Sequence, residues 1–107
     1  MFGAQMKLPN DFMRYLQNGN PRSGELPGFP LWFQLWPPEE MDQWNRDYEV
    51  DKYAPGFYGF AGDGGGEMYA FGPDGKVYAL PLIGMEPNVA KLLADSWTDL
   101  ESKIVKK

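Results

Sequence analysis

The chain has 107 residues, 43% of them hydrophobic and 16% aromatic; this is a folded composition with material for one core, so disorder and a two-domain layout are excluded and one domain is expected over 1–107. It contains no cysteine and no histidine, which excludes disulfides, thiol nucleophiles, cysteine-based metal clusters, imidazole ligands and serine–histidine or cysteine–histidine catalytic arrangements. A net charge of −5 works against a nucleic-acid partner, which needs a Lys/Arg footprint, and no apolar run approaches the roughly 18 residues of a membrane helix.

In chain order, the first expected element is a helix from Pro9 to about Gln17. Pro suits a first helical position, Asp11 suits the positive N-terminal end, and Leu8, Phe12, Tyr15 and Leu16 fall on one face. Asn18-Gly19 ends it, because both tolerate the left-handed conformation that closes a helix. Asn20 to Pro30, rich in Pro and Gly, reads as an irregular loop. Leu31 to Trp36 is rich in β-formers between prolines and reads as a strand. After Pro37-Pro38 a helix is expected to about Val50, with Glu39, Glu40 and Asp42 in its first turn and Met41, Trp44 and Tyr48 at helical spacing. Phe57 to Ala61 returns to the sheet, and the strands Glu67 to Phe71 and Lys76 to Pro81 follow. The connection Gly72-Pro73-Asp74-Gly75 carries Pro at the second turn position and Gly where a positive φ is needed, which specifies a hairpin. Pro87 to about Val105 reads as helical, with an interruption at Asp95-Ser96, where Ser96 and Asp99 resemble a capping box.

Gly62-Asp63-Gly64-Gly65-Gly66-Glu67 places two carboxylates in a glycine-rich turn, a composition that invites a cation or phosphate reading. The turn lacks calcium-loop spacing, and no Lys-Ser/Thr follows the glycines, so backbone geometry is the better account. A small-ligand or cation site, or a minor hydrolytic activity there, is the least favoured of the functional readings. No catalytic residue, cofactor or metal is expected. The run Glu39, Glu40, Asp42, Asp47, Glu49 and Asp51, offset only by Arg46 and Lys52, reads either as a solvated helix face or as an anionic patch for a basic protein partner. Trp32, Trp36 and Trp44 lie near it in sequence, and core packing suits at least two of the three. The candidate partner-binding residues are Glu39, Glu40, Asp42, Asp47 and Trp32.

Leu8-Pro9-Asn10-Asp11-Phe12 running to Asn18-Gly19 resembles the opening LPxD(Y/F)…NG signature of the SUKH superfamily, the family of the fungal cell-wall-assembly regulator and of many bacterial immunity proteins. Asp63 to Ala70 with Gly75-Lys76-Val77-Tyr78 is similar to its glycine-rich strand pair, and Leu93 to Leu100 to its closing helix entry. The resemblance implies an α+β fold, a central antiparallel sheet packed against N- and C-terminal helices. Together with the meander at 57–81, the residues give about four strands. It also implies a non-enzymatic binding role: an immunity protein neutralising a toxin, frequently a nuclease, or a regulatory or scaffolding module without a toxin. Met1 to Lys7 lacks a basic start followed by an apolar run, so a cytoplasmic protein is expected.

Overall fold

The computed structural model describes residues 8–26 and 32–104. Helix α1 (Asn10–Gln17) is followed by strands β1 (Ser23–Glu25) and β2 (Trp32–Leu35), a 3-10 turn (Pro38–Glu40), and helices α2 (Met41–Asp47) and α3 (Val50–Tyr53). Strands β3 (Tyr58–Gly62), β4 (Glu67–Phe71) and β5 (Val77–Pro81) come next, then a second 3-10 turn (Pro87–Val89), strand β6 (Lys91–Ala94) and helix α4 (Trp97–Glu101). The strands form one six-stranded antiparallel sheet in the order β1-β2-β3-β4-β5-β6. The expected α+β class is what the chain adopts, with two strands more than the sequence shows.

Those two are the edge strands. Ser23–Glu25 lies inside the expected loop and has little β-propensity of its own, so it is strand because β2 offers it a ladder, Gly24 opposite Phe33. Gly24 also removes a steric obstacle: a Cβ there would stand 2.9 Å from Ile104 and 3.0 Å from the Phe33 ring. Lys91–Ala94 falls in the expected C-terminal helix. Short apolar runs fit either period, and here the free edge of β5 decides, pairing Ala79 with Lys91 and Tyr78 with Leu92. The helix therefore contracts to Trp97–Glu101, and Val105 lies outside the described residues, as do Leu31 and the last part of the Asn20 to Pro30 stretch. The interruption at Asp95-Ser96 is real: Ser96 Oγ accepts from the Asp99 N–H at 3.0 Å, and the Asp99 carboxylate accepts from the Asp95 N–H at 3.2 Å.

Both sheet faces are covered. On the first, α1 and α4 bring Phe12, Tyr15 and Trp97 against Phe60 and Phe71, with ring centroids 4.3 to 5.9 Å apart. A β-bulge makes room for this. Gly59 pairs with Ala70 and Ala61 with Tyr69, so Phe60 is the extra residue and stacks on Phe71. Asp11 ties the two helices together, its carboxylate accepting from the Thr98 N–H at 2.9 Å and the Thr98 hydroxyl at 2.8 Å. On the other face, Trp36 and Met68 crowd Gly59, where an added Cβ would lie 2.9 Å and 2.5 Å from them; α2 and α3 pack on β3.

Candidate partner-binding surface

The expected single helix after Pro37 is divided into three pieces, and the division shapes the surface. Pro38–Glu40 is a 3-10 turn closed by the Glu40 N–H on the Pro37 carbonyl, 2.9 Å. Helix α2 then runs to Asp47, and its Asn45 side chain binds the backbone of Gly59, donating to the carbonyl at 2.8 Å and accepting from the N–H at 2.7 Å. Asn45 thus takes the place of a neighbouring strand where β2 has turned away. Glu49 ends the run at φ 55°, ψ 46°, the left-handed region, and among the described residues it is the non-glycine with positive φ. The turn at Glu49 starts α3 in a new direction and leaves Tyr48 and Tyr53 exposed on either side.

Of the residues expected to meet a partner, Glu39, Glu40 and Asp47 are exposed. Asp47 accepts from Gln43 Nε2 at 2.7 Å, and Gln43 in turn accepts from Arg46 at 2.8 Å. Asp42 is half-buried and engaged inward, accepting from the Tyr58 hydroxyl. Burial first, and then that hydrogen bond and the Asp42 charge, raise the Tyr58 pKa well above its ordinary value, so the phenol stays a neutral donor. Asp42 lines a polar depression of about 340 Å³ with Asn45, Arg46, Glu49, Asp51 and Lys52. Trp32 sits on β2, 40% exposed, with its carbonyl accepting from the Tyr69 hydroxyl. Trp36 is buried and Trp44 half-buried, the two rings 5.0 Å apart.

The glycine-rich turn spends its carboxylate internally. Asp63 Oδ1 accepts from the N–H groups of Gly65 (2.8 Å) and Glu67 (3.1 Å), while Gly64 takes φ 81°. Glu67 is partly desolvated and faces the Asp63 charge, which together raise its pKa. In the next turn Asp74 accepts from the Lys76 N–H at 3.1 Å and the Tyr78 hydroxyl at 2.6 Å; the tyrosine bond holds its carboxyl below the usual range. Among the described residues no group of three or more acidic side chains is placed to hold a metal ion.

Not legible in the sequence is an apolar recess between the α2/α3 connection and the segment after β5, lined by Tyr48, Tyr53, Leu82, Ile83, Gly84, Met85 and Glu86. The only sequence signal is Ile83 followed by Gly84, an apolar residue at a turn.

A six-stranded antiparallel meander with helices on both faces defines an α+β protein, and Glu39, Glu40, Asp47 and Trp32 are exposed on its surface. Residues 4–103 match the SMI1 / KNR4 family (SUKH-1), and the chain belongs to that family, whose domains are protein-interaction modules. Comparison with curated proteins found no match. The family assignment agrees with the resemblance carried by Leu8 to Gly19, Asp63 to Tyr78 and Leu93 to Leu100, and the structure gives two of these blocks their physical reason: Asp11 and Thr98 join the first to the last.

Proposed function

We propose that this chain is a non-enzymatic, cytoplasmic, single-domain immunity protein that binds and neutralises a bacterial toxin, a basic one such as a nuclease. The observation that carries the reading is the family match across residues 4–103. Its support within the molecule is the segment from Glu39 to Asp51, whose carboxylates, Asp42 apart, face solvent. Exposed charge of one sign speeds encounter with a partner of the other and selects against wrong partners. Trp32, exposed on β2, adds an aromatic contact to the same proposal. In this reading no cofactor, metal, nucleic acid or membrane takes part.

The test is co-expression with the toxin domain encoded beside it in the native host. Growth rescued by the chain, with a stable complex on size exclusion, is the expected result. No rescue together with no complex contradicts immunity and favours a regulatory or scaffolding module of the same family.

A further inference from the structure

The asparagines of this chain are Asn10, Asn18, Asn20, Asn45 and Asn88, and of these Asn18 is the one followed by glycine. An asparagine side-chain amide is open to attack by the backbone nitrogen of the next residue, and a side chain on that residue hinders the approach, so an Asn-Gly pair is the vulnerable case. Asn10 precedes Asp11 inside α1, Asn20 precedes Pro21, whose nitrogen carries no hydrogen, and Asn88 precedes the β-branched Val89. Asn45 precedes Arg46 inside α2, and its side-chain amide donates to the Met41 and Gly59 carbonyls, both at 2.8 Å.

Asn18 closes α1 at φ −87° and ψ 6°, exposed, with its N–H on the Arg14 carbonyl at 3.0 Å. Among the described residues neither its side-chain amide nor the Gly19 N–H has a hydrogen-bond partner, so both reacting groups are unengaged. Gly19 stands at φ 70°, and an added Cβ would meet nothing within 4 Å. Ring closure requires the Asn18 ψ to turn from its helical value. Helix ends fray, and this one is restrained by Asn20, which donates to the Tyr15 carbonyl, and Arg22, which donates to the Leu16 carbonyl, each at 3.2 Å. The two Asp-Gly pairs are held more firmly. Asp63 Oδ1 accepts from the N–H groups of Gly65 and Glu67. Asp74 accepts from the Lys76 N–H and the Tyr78 hydroxyl, and the Gly75 nitrogen that would attack it donates to the Gly72 carbonyl at 2.9 Å. A carboxylate, ionised at neutral pH, is also a poorer electrophile than an amide.

We propose that Asn18 is the site at which this chain deamidates spontaneously, and that the reaction weakens α1. The Gly19 nitrogen bonds to Asn18 Cγ as the Cγ–Nδ2 bond breaks; the Gly19 proton leaves with Nδ2 as ammonia, and a succinimide ring remains. Water then adds across one of the two ring C–N bonds, giving aspartate or, where the main chain now passes through Cγ, isoaspartate. Either product puts negative charge on the C-terminal end of α1, the negative end of its dipole, and isoaspartate adds a main-chain atom to the turn that Asn20 and Arg22 bridge. Helix α1 carries Phe12 and Tyr15 into the core, so the loss falls on stability. It does so whatever partner the chain binds.

The experiment ages the full folded chain in mildly alkaline buffer and follows ammonia release together with peptide mapping that separates aspartate from isoaspartate. Conversion confined to Asn18, with both products and an equal amount of ammonia, is expected. Gly19→Ala should convert more slowly by about tenfold or more, as the approach of its nitrogen is hindered. Should that variant melt lower than the parent because of its positive φ, Asn18→Gln replaces it and should leave position 18 unconverted. The aged chain, and an Asn18→Asp chain, should melt below the fresh parent. An intact Asn18 after a capped peptide of residues 14–22 has converted, first conversion at Asn10, Asn88, Asp63 or Asp74, aspartate formed without isoaspartate, a Gly19→Ala chain of parental stability that reacts as fast as the parent, or an aged chain that melts with the fresh one would each overturn the proposal.

Discussion

The two faces of the sheet are finished to different standards. Under α1 and α4, five aromatic rings interlock, Asp11 closes on Thr98, and Ser96 caps α4. On the side of α2 and α3, Trp36 and Met41 are buried, but the same elements carry exposed tyrosines, a strained Glu49 and a row of carboxylates in water. The first face uses its polar groups to join helices, whereas on the second Asp42 and Asn45 turn inward to Tyr58 and Gly59 and Gln43, Arg46 and Asp47 bond one another at the surface. We propose on that difference that the first side serves mainly stability and the second recognition.

The largest expected effect is therefore on the first face. Phe12 is fully buried between Phe60, Phe71 and Trp97, and Phe12→Ala should lower unfolding free energy by about 3–5 kcal/mol in urea titrations. A loss below about 1 kcal/mol would break the division of labour. Alkali comes next, because it acts on both faces at once. Tyr15, Tyr58, Tyr69 and Tyr78 all have pKa values raised above 10.0, the first three chiefly by burial and Tyr78 chiefly by its bond to Asp74. The unfolded chain then loses its phenolic protons first as pH rises, so unfolding releases protons and stability falls. This contribution is complete below pH 10 and declines as pH climbs above it; Tyr58→Phe should flatten the decline, and a melting temperature constant above pH 10 would contradict the assignment.

Gly59→Ala sharpens the comparison from the other face. The new Cβ would meet Met68 and the Trp36 ring, and a loss of about 1–3 kcal/mol is expected. Asp11→Ala removes the link to Thr98 on an exposed flank and should cost about 1 kcal/mol, with Asp11→Asn costing less because it keeps an acceptor. Smallest is Glu49→Gly. Relief of the left-handed conformation should raise stability by a fraction of about 1 kcal/mol, net of the added freedom of the unfolded chain. A stabilised chain that binds its partner more weakly is the expected pairing, since Glu49 would then be held for recognition at the expense of stability.

The sequence showed most clearly those elements whose geometry is local. The Gly72 to Gly75 turn, with Gly75 at φ 81°, and the Ser96 cap follow from residue chemistry within four positions. The edge strands were hidden because Ser23–Glu25 and Lys91–Ala94 are strands only by virtue of their neighbours. In the candidate site, the exposure of Glu39, Glu40 and Asp47 could be read from charge density, whereas the inward bond of Asp42 to Tyr58 depends on a contact 16 residues away. The recess joins residues 48–53 to residues 82–86, and no local pattern brings those together.

Hydrogen exchange across the whole chain, free and in complex with the proposed protein partner, tests the central claim most directly. The account predicts added protection over residues 39–53 with α1 and α4 unchanged. Protection centred on α1 and α4, or on the Asp63 to Glu67 turn, with residues 39–53 unaffected, would contradict it.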